Sequence, residues 1–379
     1  MSFEDDVKAE AFHLGFSLCG IAAAQPLAQH AAVYEDWLAA GHHAQMSYLA
    51  AESARLRRAD LSLTLPGVRT VLTVALPYPN PARAAAPADG RLRGRTAAYA
   101  WGQDYHDQIP PRLNQLAAWL QDRLGLPLAH RAYTDTGPIL ERAWGQQAGL
   151  GWFGRNSCLI HPRRGSAFLL GELLLDAELQ PDSPWEADRC GSCTRCVDAC
   201  PTGCILPNRT LDARRCLSYW SIEHKGPIPV QMRPSLGNWV FGCDICQQVC
   251  PWNQHAVHSE VDAAFDFTPE DAFPDLLEAL SLSPVDFNRR FRRTPLARTK
   301  RRGFLRNAAV ALGNLGDPAA VPALAHTLES EPEPLVRGHA AWALGQLHHP
   351  QVRLALEHTR SADPDPSVRL EATGALAAL

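Results

Sequence analysis

Apolar positions along the first 180 residues recur at two spacings, which predicts a mixture of helices and strands. The amphipathic stretch Asp5–Leu14 reads as a helix and leads into the apolar run Phe16–Ala24, which suits a strand. Thr70–Leu76 is rich in β-branched residues and stops at Pro77, a second strand, and the apolar Ala167–Leu175 reads as another. Leu113, Leu116 and Leu120 share one helical face, so Pro111–Leu124 is predicted helical. The Pro/Ala/Gly/Arg stretch Pro79–Arg95 has no periodicity and reads as a loop. Residues 185–255 then lose periodic pattern and become dense in cysteine, as a metal-nucleated module does.

From Gly303 the pattern repeats. Leu305-Arg-Asn-Ala-Ala-Val-Ala-Leu-Gly-Asn-Leu recurs as Val336-Arg-Gly-His-Ala-Ala-Trp-Ala-Leu-Gly-Gln-Leu and again as Val368-Arg-Leu-Glu-Ala-Thr-Gly-Ala-Leu. The arginines fall at 306, 337 and 369, and Asp317-Pro318, His349-Pro350 and Asp365-Pro366 punctuate the turns. Short Ala/Leu helices at this interval cannot bury their faces alone, so they stack as a HEAT-like α-solenoid.

Composition narrows the picture. At 379 residues with 46% hydrophobic and 20% charged residues, the chain is long enough for two or three domains of an ordinary soluble protein. The start is acidic, without a basic segment leading into an apolar one, and no run of 18 apolar residues occurs, so neither a secretory signal nor a membrane helix is expected. The cytoplasm is the expected compartment and a monomer the expected state, and there the 11 cysteines should be metal ligands or free thiols rather than disulfides.

Cys190-Gly-Ser-Cys193-Thr-Arg-Cys196-Val-Asp-Ala-Cys200-Pro201 is the C-x₂-C-x₂-C-x₃-C-P run of bacterial ferredoxins. A broken copy follows, Cys243-Asp-Ile-Cys246-Gln-Gln-Val-Cys250-Pro251, with Cys216 upstream to supply the missing ligand. In two-cluster ferredoxins the last cysteine of each run serves the other cluster. That logic expects two [4Fe–4S] clusters, one held by Cys190, Cys193, Cys196 and Cys250, the other by Cys200, Cys216, Cys243 and Cys246. A pair of zinc sites is the competing reading, but zinc favours C-x₂₋₄-C pairs with a longer spacer. Cys19, Cys158 and Cys204 are left as small core residues. The expected architecture is thus α+β: an α/β domain over 1–180, a ferredoxin-like two-cluster module over 181–258, a basic linker or helical region over 259–302, and the solenoid over 303–379.

The order of the motifs resembles epoxyqueuosine reductase, a family that completes the queuosine base of the tRNA anticodon loop by reducing an epoxide. The resemblance rests on Arg58-Ala-Asp, Tyr99-Ala-Trp-Gly-Gln-Asp-Tyr-His106, Asp135-Thr-Gly-Pro-Ile-Leu-Glu-Arg142, Gly149-Leu-Gly-Trp-Phe-Gly-Arg-Asn156 and Gly171-Glu172. The cysteine runs, Ile222-Glu-His-Lys-Gly-Pro-Ile228 and the first solenoid repeat continue it, over nearly the whole chain. It implies a base-off cobalamin in the N-terminal domain beside one cluster, although Asp104-Tyr-His106 lacks the glycine of the familiar Asp-x-His-x-x-Gly motif. The family's proton donor falls on Asp135; read from its own context, Asp135 caps a helix over Ile139–Ala148. To act as an acid it would need desolvation. Arg58, Asn156, Ser157, Ser218 and Asp244 are candidate cobalamin contacts beside Asp135, and Ala98 stands where some relatives carry cysteine.

Charge supplies the last expectation. Nine cations and no acid lie between Arg289 and Arg306; without them the net charge of −4 would be −13. Under the resemblance this island, with Arg298, Lys300, Arg301, Arg302, Arg306 and Asn307, grips tRNA phosphates, and Lys225 adds a contact. A solvated surface stretch is the plain alternative. An external electron donor is the remaining expected partner. The alternative functions are a corrinoid reductive dehalogenase and a non-catalytic electron-carrying scaffold with a HEAT-like docking tail.

Overall fold

The computed structural model describes residues 2–257 and 261–379; the expected boundary at 258 lies outside them. Helix α1 (Phe3–His13) opens on a capping box in which Ser2 and Asp5 satisfy each other's backbone N–H groups. Strand β1 (Leu18–Ala23), helices α2 (Ala28–Ala39) and α3 (Glu52–Ala59), and strand β2 (Thr70–Pro77) follow. Then come α4 (Ile109–Leu124), β3 (His130–Tyr133), α5 (Glu141–Gln147) and β4 (Phe168–Leu175). The four strands form one antiparallel sheet in the order β1-β2-β4-β3.

Every residue of β2 is buried, which is why it reads as a continuous apolar run rather than an alternating one. One row of the sheet, Gly20–Thr73–Glu172–Tyr133, runs across all four strands and lies on a single face. Helix α5 and the turn after it press on that face: a Cβ at Gly20 would sit 2.0 Å from the Ala148 carbonyl oxygen. Only glycine admits so close an approach. The opposite face carries α4, with Ile109, Leu113, Leu116 and Leu120 buried against it.

Compactness does not follow chain order. Met1–Ala84, Gly102–Arg214 and Asp244–Asp266 make up one compact unit, and Ala85–Trp101, Arg215–Cys243 and Phe267–Leu379 a second. The two units therefore alternate along the chain, each built from three of its segments. In the second unit, for example, Arg95–Thr96 pairs in parallel with Trp239–Phe241.

The repeats form α6 (Lys300–Leu315), α7 (Val321–Ser330), α8 (Pro334–Gly345), α9 (Pro350–Ala362) and α10 (Pro366–Ala378). His349 and Asp365, predicted as turn punctuation, are N-caps of α9 and α10. Gly313 and Gly345 let α6, α8 and α10 stack closely; a Cβ on either would approach a neighbouring Cα to 2.9 Å. The repeated arginine is structural in each copy. Arg337 pairs with Asp363 at 2.8 Å and donates to the Glu331 carbonyl, while Arg369 donates to that of Asp363. Arg306 donates to the carbonyls of Trp220, His224 and Gly226. No helix among the described residues is long and apolar enough to cross a membrane.

Candidate functional site

Asp135 does not cap a helix. Helix α5 starts at Glu141, six residues on, and its N-cap Leu140 makes no side-chain bond. The loop between β3 and α5 instead turns Asp135 into the left-handed region, φ 56°, and its N–H donates to the Glu141 carboxylate. That turn sends the Asp135 carboxylate toward Tyr105 and His106, which precede α4. Tyr105 Oη donates to Asp135 Oδ2 at 3.0 Å. His106 Nε2 lies 3.5 Å from the same oxygen, an ion-pair distance rather than a hydrogen bond.

His106 is held at its other nitrogen by Asp104, Nδ1 to Oδ1 at 2.7 Å, and its backbone N–H donates to the same carboxylate. Burial works against the imidazolium, but the carboxylates of Asp104 and Asp135 outweigh it and raise His106 to about 9. At neutral pH the ring is charged. The desolvation expected of Asp135 is not supplied by the protein, since its side chain is 51% exposed; a charged histidine stands beside it instead. Sequence reasoning passed over Tyr105 and His106 because they formed part of a failed cobalamin motif. The signal was present in the Asp-x-His spacing, which lets a carboxylate orient the imidazole two residues on.

Beneath this loop lies a carboxyl pair. Glu172 on β4 is fully buried, no donor among the described residues reaches either of its oxygens, and it faces the Glu141 carboxyl. Burial and the neighbouring Glu141 push Glu172 well above the usual carboxylate range. Glu141 is pushed up to about 7 by burial and by Asp135.

Among the first set of cluster cysteines, Cys190, Cys193, Cys196 and Cys250 line one cavity of about 220 Å³. Trp152 Nε1 donates toward Cys190 Sγ at 3.4 Å, and Arg155, Arg189 and Arg195 stand around the cavity. A four-thiolate cube is anionic, so this surrounding suits it. In the second set, Cys200 and Cys246 belong to the first compact unit and Cys216 and Cys243 to the other. Cys204, assigned to the core, is buried, with its N–H donating toward Cys200 Sγ at 3.4 Å.

Asn156 and Ser157 part company at a tight turn, where Ser157 has φ 64°. Asn156 faces the cysteine cavity, its buried Nδ2 without a partner. Ser157 lines a separate cavity of about 320 Å³ with Tyr34, Trp37, Arg58 and Ile139. Arg58 lies over the Tyr34 ring at 5.5 Å. Asp244 is buried and accepts from Gln247 Nε2 at 3.2 Å. Ser218 lies in the second unit.

Three comparisons with known proteins bear on this geometry. A 4Fe–4S double cluster binding domain matches residues 189–253, the epoxyqueuosine reductase QueG model matches 58–136, and HEAT repeats match 296–377. An epoxyqueuosine reductase of Pseudomonas aeruginosa is 41% identical over 333 residues, 86% of this chain and 89% of the relative. The chain belongs to the epoxyqueuosine reductase family. The family's enzyme from Xanthomonas campestris pv. campestris is 39% identical over 337 residues, 88% of this chain and 93% of its own. Among solved epoxyqueuosine reductases, one with a tRNA-Tyr epoxyqueuosine-modified stem loop superposes with a TM-score of 0.91 at 30% identity, covering 99% of this chain and 98% of that one. The Bacillus subtilis enzyme, solved with its catalytic aspartate loop swung out of the active site, superposes at 0.90 with the same identity and coverage. These matches favour neither the dehalogenase nor the scaffold alternative.

Against that family, the basic island needs correction. Arg306 and Asn307 are 1% and 0% exposed. The Arg306 guanidinium is consumed by three carbonyls and by Asn307, whose amide donates to the carbonyls of Ser221 and Val240. Groups so enclosed do not reach a phosphate. Arg301 is bidentate to Glu331 at 2.9 and 2.6 Å. Arg298 pairs with Glu223 at 2.8 Å, and Lys225 Nζ donates to the carbonyls of Ile222 and Arg298. Lys300 and Arg302 are exposed, as are Arg292 and Arg293.

Proposed function

We propose that this chain reduces epoxyqueuosine to queuosine in the anticodon loop of a tRNA, with Asp135 as the group that hands a proton to the departing oxygen. Converting an epoxide to an alkene and water consumes two electrons and two protons. The electrons come from an external donor, and [4Fe–4S] clusters held by the eight cysteines would supply a one-electron relay. Cobalamin, when bound, would supply a strongly reducing nucleophilic centre for the epoxide. The residues present fit such a group: the Asn156 amide has an unsatisfied donor, and the cavity beside Ser157 offers aromatic walls with Arg58 at its edge. Asn156, Ser157, Arg58 and Asp244 would hold it.

The chain itself delivers one of the two protons, and solvent supplies the second. His106, charged at neutral pH, keeps a proton at Nε2 facing Asp135 Oδ2. Asp135 receives that proton and presents it at its half-exposed carboxyl, while the Tyr105 hydroxyl fixes the orientation of the carboxyl group. Asp104 holds the imidazole in place and stabilises its charge between turnovers. The tRNA backbone meets Lys300 and Arg302, with Arg298 and Lys225 at the margin, and the protein works as a cytoplasmic monomer.

The observation that carries this reading is the Asp104–His106–Asp135 array within a chain of this family. Anaerobically reconstituted protein, supplied with cobalamin, a chemical reductant and a stem loop containing epoxyqueuosine, should yield queuosine by nucleoside mass analysis. Asp135→Asn should keep its iron, sulfide and corrin absorbance yet lose single turnover by 100-fold or more, about 3 kcal/mol. Wild-type rates in that variant would remove Asp135 from the chemistry.

A further inference from the structure

We propose that Glu141 and Glu172 are positioning residues for Asp135, with the ionised Glu141 carboxylate accepting the Asp135 N–H and a protonated Glu172 carboxyl supporting Glu141 from the sheet below. The inference rests on the reading of Asp135 as the proton donor. It begins from three local departures that converge on one loop. Asp135 occupies a left-handed backbone conformation that a non-glycine residue adopts at a cost. Its N–H is bonded to Glu141, so the unfavoured conformation is tied to the first turn of α5. Under Glu141 lies Glu172, fully buried, with no other hydrogen-bonding group within reach of its oxygens.

A carboxylate in that setting would be heavily penalised, and a neutral carboxyl much less so. Two carboxyls facing each other below solvent hold one proton between them over a wide pH range, as like charges cannot both ionise at close quarters. Glu172 keeps that proton because its cross-strand neighbours are the uncharged Thr73 and Tyr133 and the charge that faces it is the Glu141 carboxylate. Glu141 is the half that ionises, since Arg142 is its neighbour on α5 and Arg58 lines the same cavity. Asp135 on the loop is the remaining charge that faces it. The charge-assisted bond from the Asp135 N–H is therefore present above about 7 and weakens as Glu141 is protonated below it. The rest of the loop is fixed at its side chains, by Thr134 Oγ1 donating to the Leu170 carbonyl at 2.7 Å, Tyr105 Oη donating to the Asp135 carboxylate and Gly137 pressed against the Tyr133 ring, so the bond to Glu141 is the tie on the Asp135 backbone.

Single-turnover rates on the epoxyqueuosine stem loop, measured from pH 6 to 9 with the reconstituted holoenzyme, test the assignment. In the wild type the rate should fall as pH drops through about 7. Glu141→Ala should lower the rate about 10-fold or more at pH 8 while leaving stem-loop affinity and cluster absorbance unchanged. Glu141→Gln, which keeps an acceptor oxygen without the charge, should recover part of the rate and abolish the acid limb. Glu172→Gln, whose amide donates to Glu141 as the carboxyl does, should stay within about threefold of wild type. The proposal is overturned if both Glu141 variants show wild-type rates and an unaltered acid limb while Asp135→Asn is inactive; the reading of Asp135 then survives alone. An active Asp135→Asn variant would overturn both.

Discussion

Replacing Asp104 with Asn isolates the charge that keeps His106 protonated. The amide oxygen can still accept from Nδ1 and from the His106 N–H, so the ring should hold its place while the carboxylate is lost. His106 is raised from 6.5 to about 9 against the opposing effect of burial. At roughly 1.4 kcal/mol per pKa unit, that rise corresponds to about 3 kcal/mol favouring the imidazolium. Asp104 at 2.7 Å contributes more of it than Asp135 at 3.5 Å, whose contact is an ion pair without a hydrogen bond. Removing Asp104 should therefore withdraw about 2 kcal/mol and bring His106 to roughly 7.5. The readout is the alkaline limb of the single-turnover rate. The wild type should lose activity as pH rises through about 9, when the ring gives up its proton, and the Asn variant through about 7.5, with similar rates at pH 6. The sign carries over to stability: a raised histidine stabilises the fold fully below 6.5, and that contribution disappears as pH rises through about 9. An alkaline limb that does not move in the Asn variant would show that His106 is not the titrating proton source.

Three further outcomes are expected. Trp152→Phe removes the indole N–H aimed at Cys190; losing about 1 kcal/mol of charge-assisted bonding should move that cluster's midpoint potential negative by roughly 40 mV, read by an anaerobic redox titration followed by electron paramagnetic resonance. Arg306→Met leaves the carbonyls of Trp220, His224 and Gly226 without their donor inside the second unit, and chemical denaturation should show a loss of roughly 3 to 5 kcal/mol. Arg302→Ala should reduce the salt dependence of stem-loop binding by roughly one phosphate contact with no change in stability, whereas Arg301→Ala should chiefly destabilise the fold by breaking its bidentate bond to Glu331. Equal salt slopes for wild type and Arg302→Ala would make that part of the island a solvated face.

What the sequence made legible follows from how local each signal is. Helix α4 and strands β2 and β4 were readable because their burial is written in consecutive or periodic apolar residues, and the solenoid because its period is fixed. Cysteine spacing pointed to a set of four thiols that do line one cavity. The cap assigned to Asp135 failed because a polar residue before a helical pattern has two uses, and only the backbone turn at φ 56° shows which one is realised. Arg306 and Asn307 fall out of the expected tRNA contacts for a different reason. Arg306 was counted as a surface charge, yet it is the same repeat position as Arg337 and Arg369, both of which tie carbonyls at a helix start. A charge that recurs at the period of a packing repeat belongs to the packing, and that criterion was available in the sequence.

The same criterion, reversed, identifies the Asp135 loop. Stabilising features in this chain agree with one another: capping box, buried strands and arginine-tied repeats all point to the same fold. Around Asp135 they disagree. A non-glycine residue sits at positive φ, a glutamate is buried facing another carboxyl, and a histidine is held charged between two carboxylates. Each costs on the order of 1 kcal/mol or more on its own, and packing alone would be served as well by glycine, leucine and glutamine in their places. Their coincidence around one carboxylate is what the proposed proton delivery needs: a reservoir on His106, an acceptor in Asp135, and a backbone fixed from beneath so that the carboxyl does not wander between turnovers.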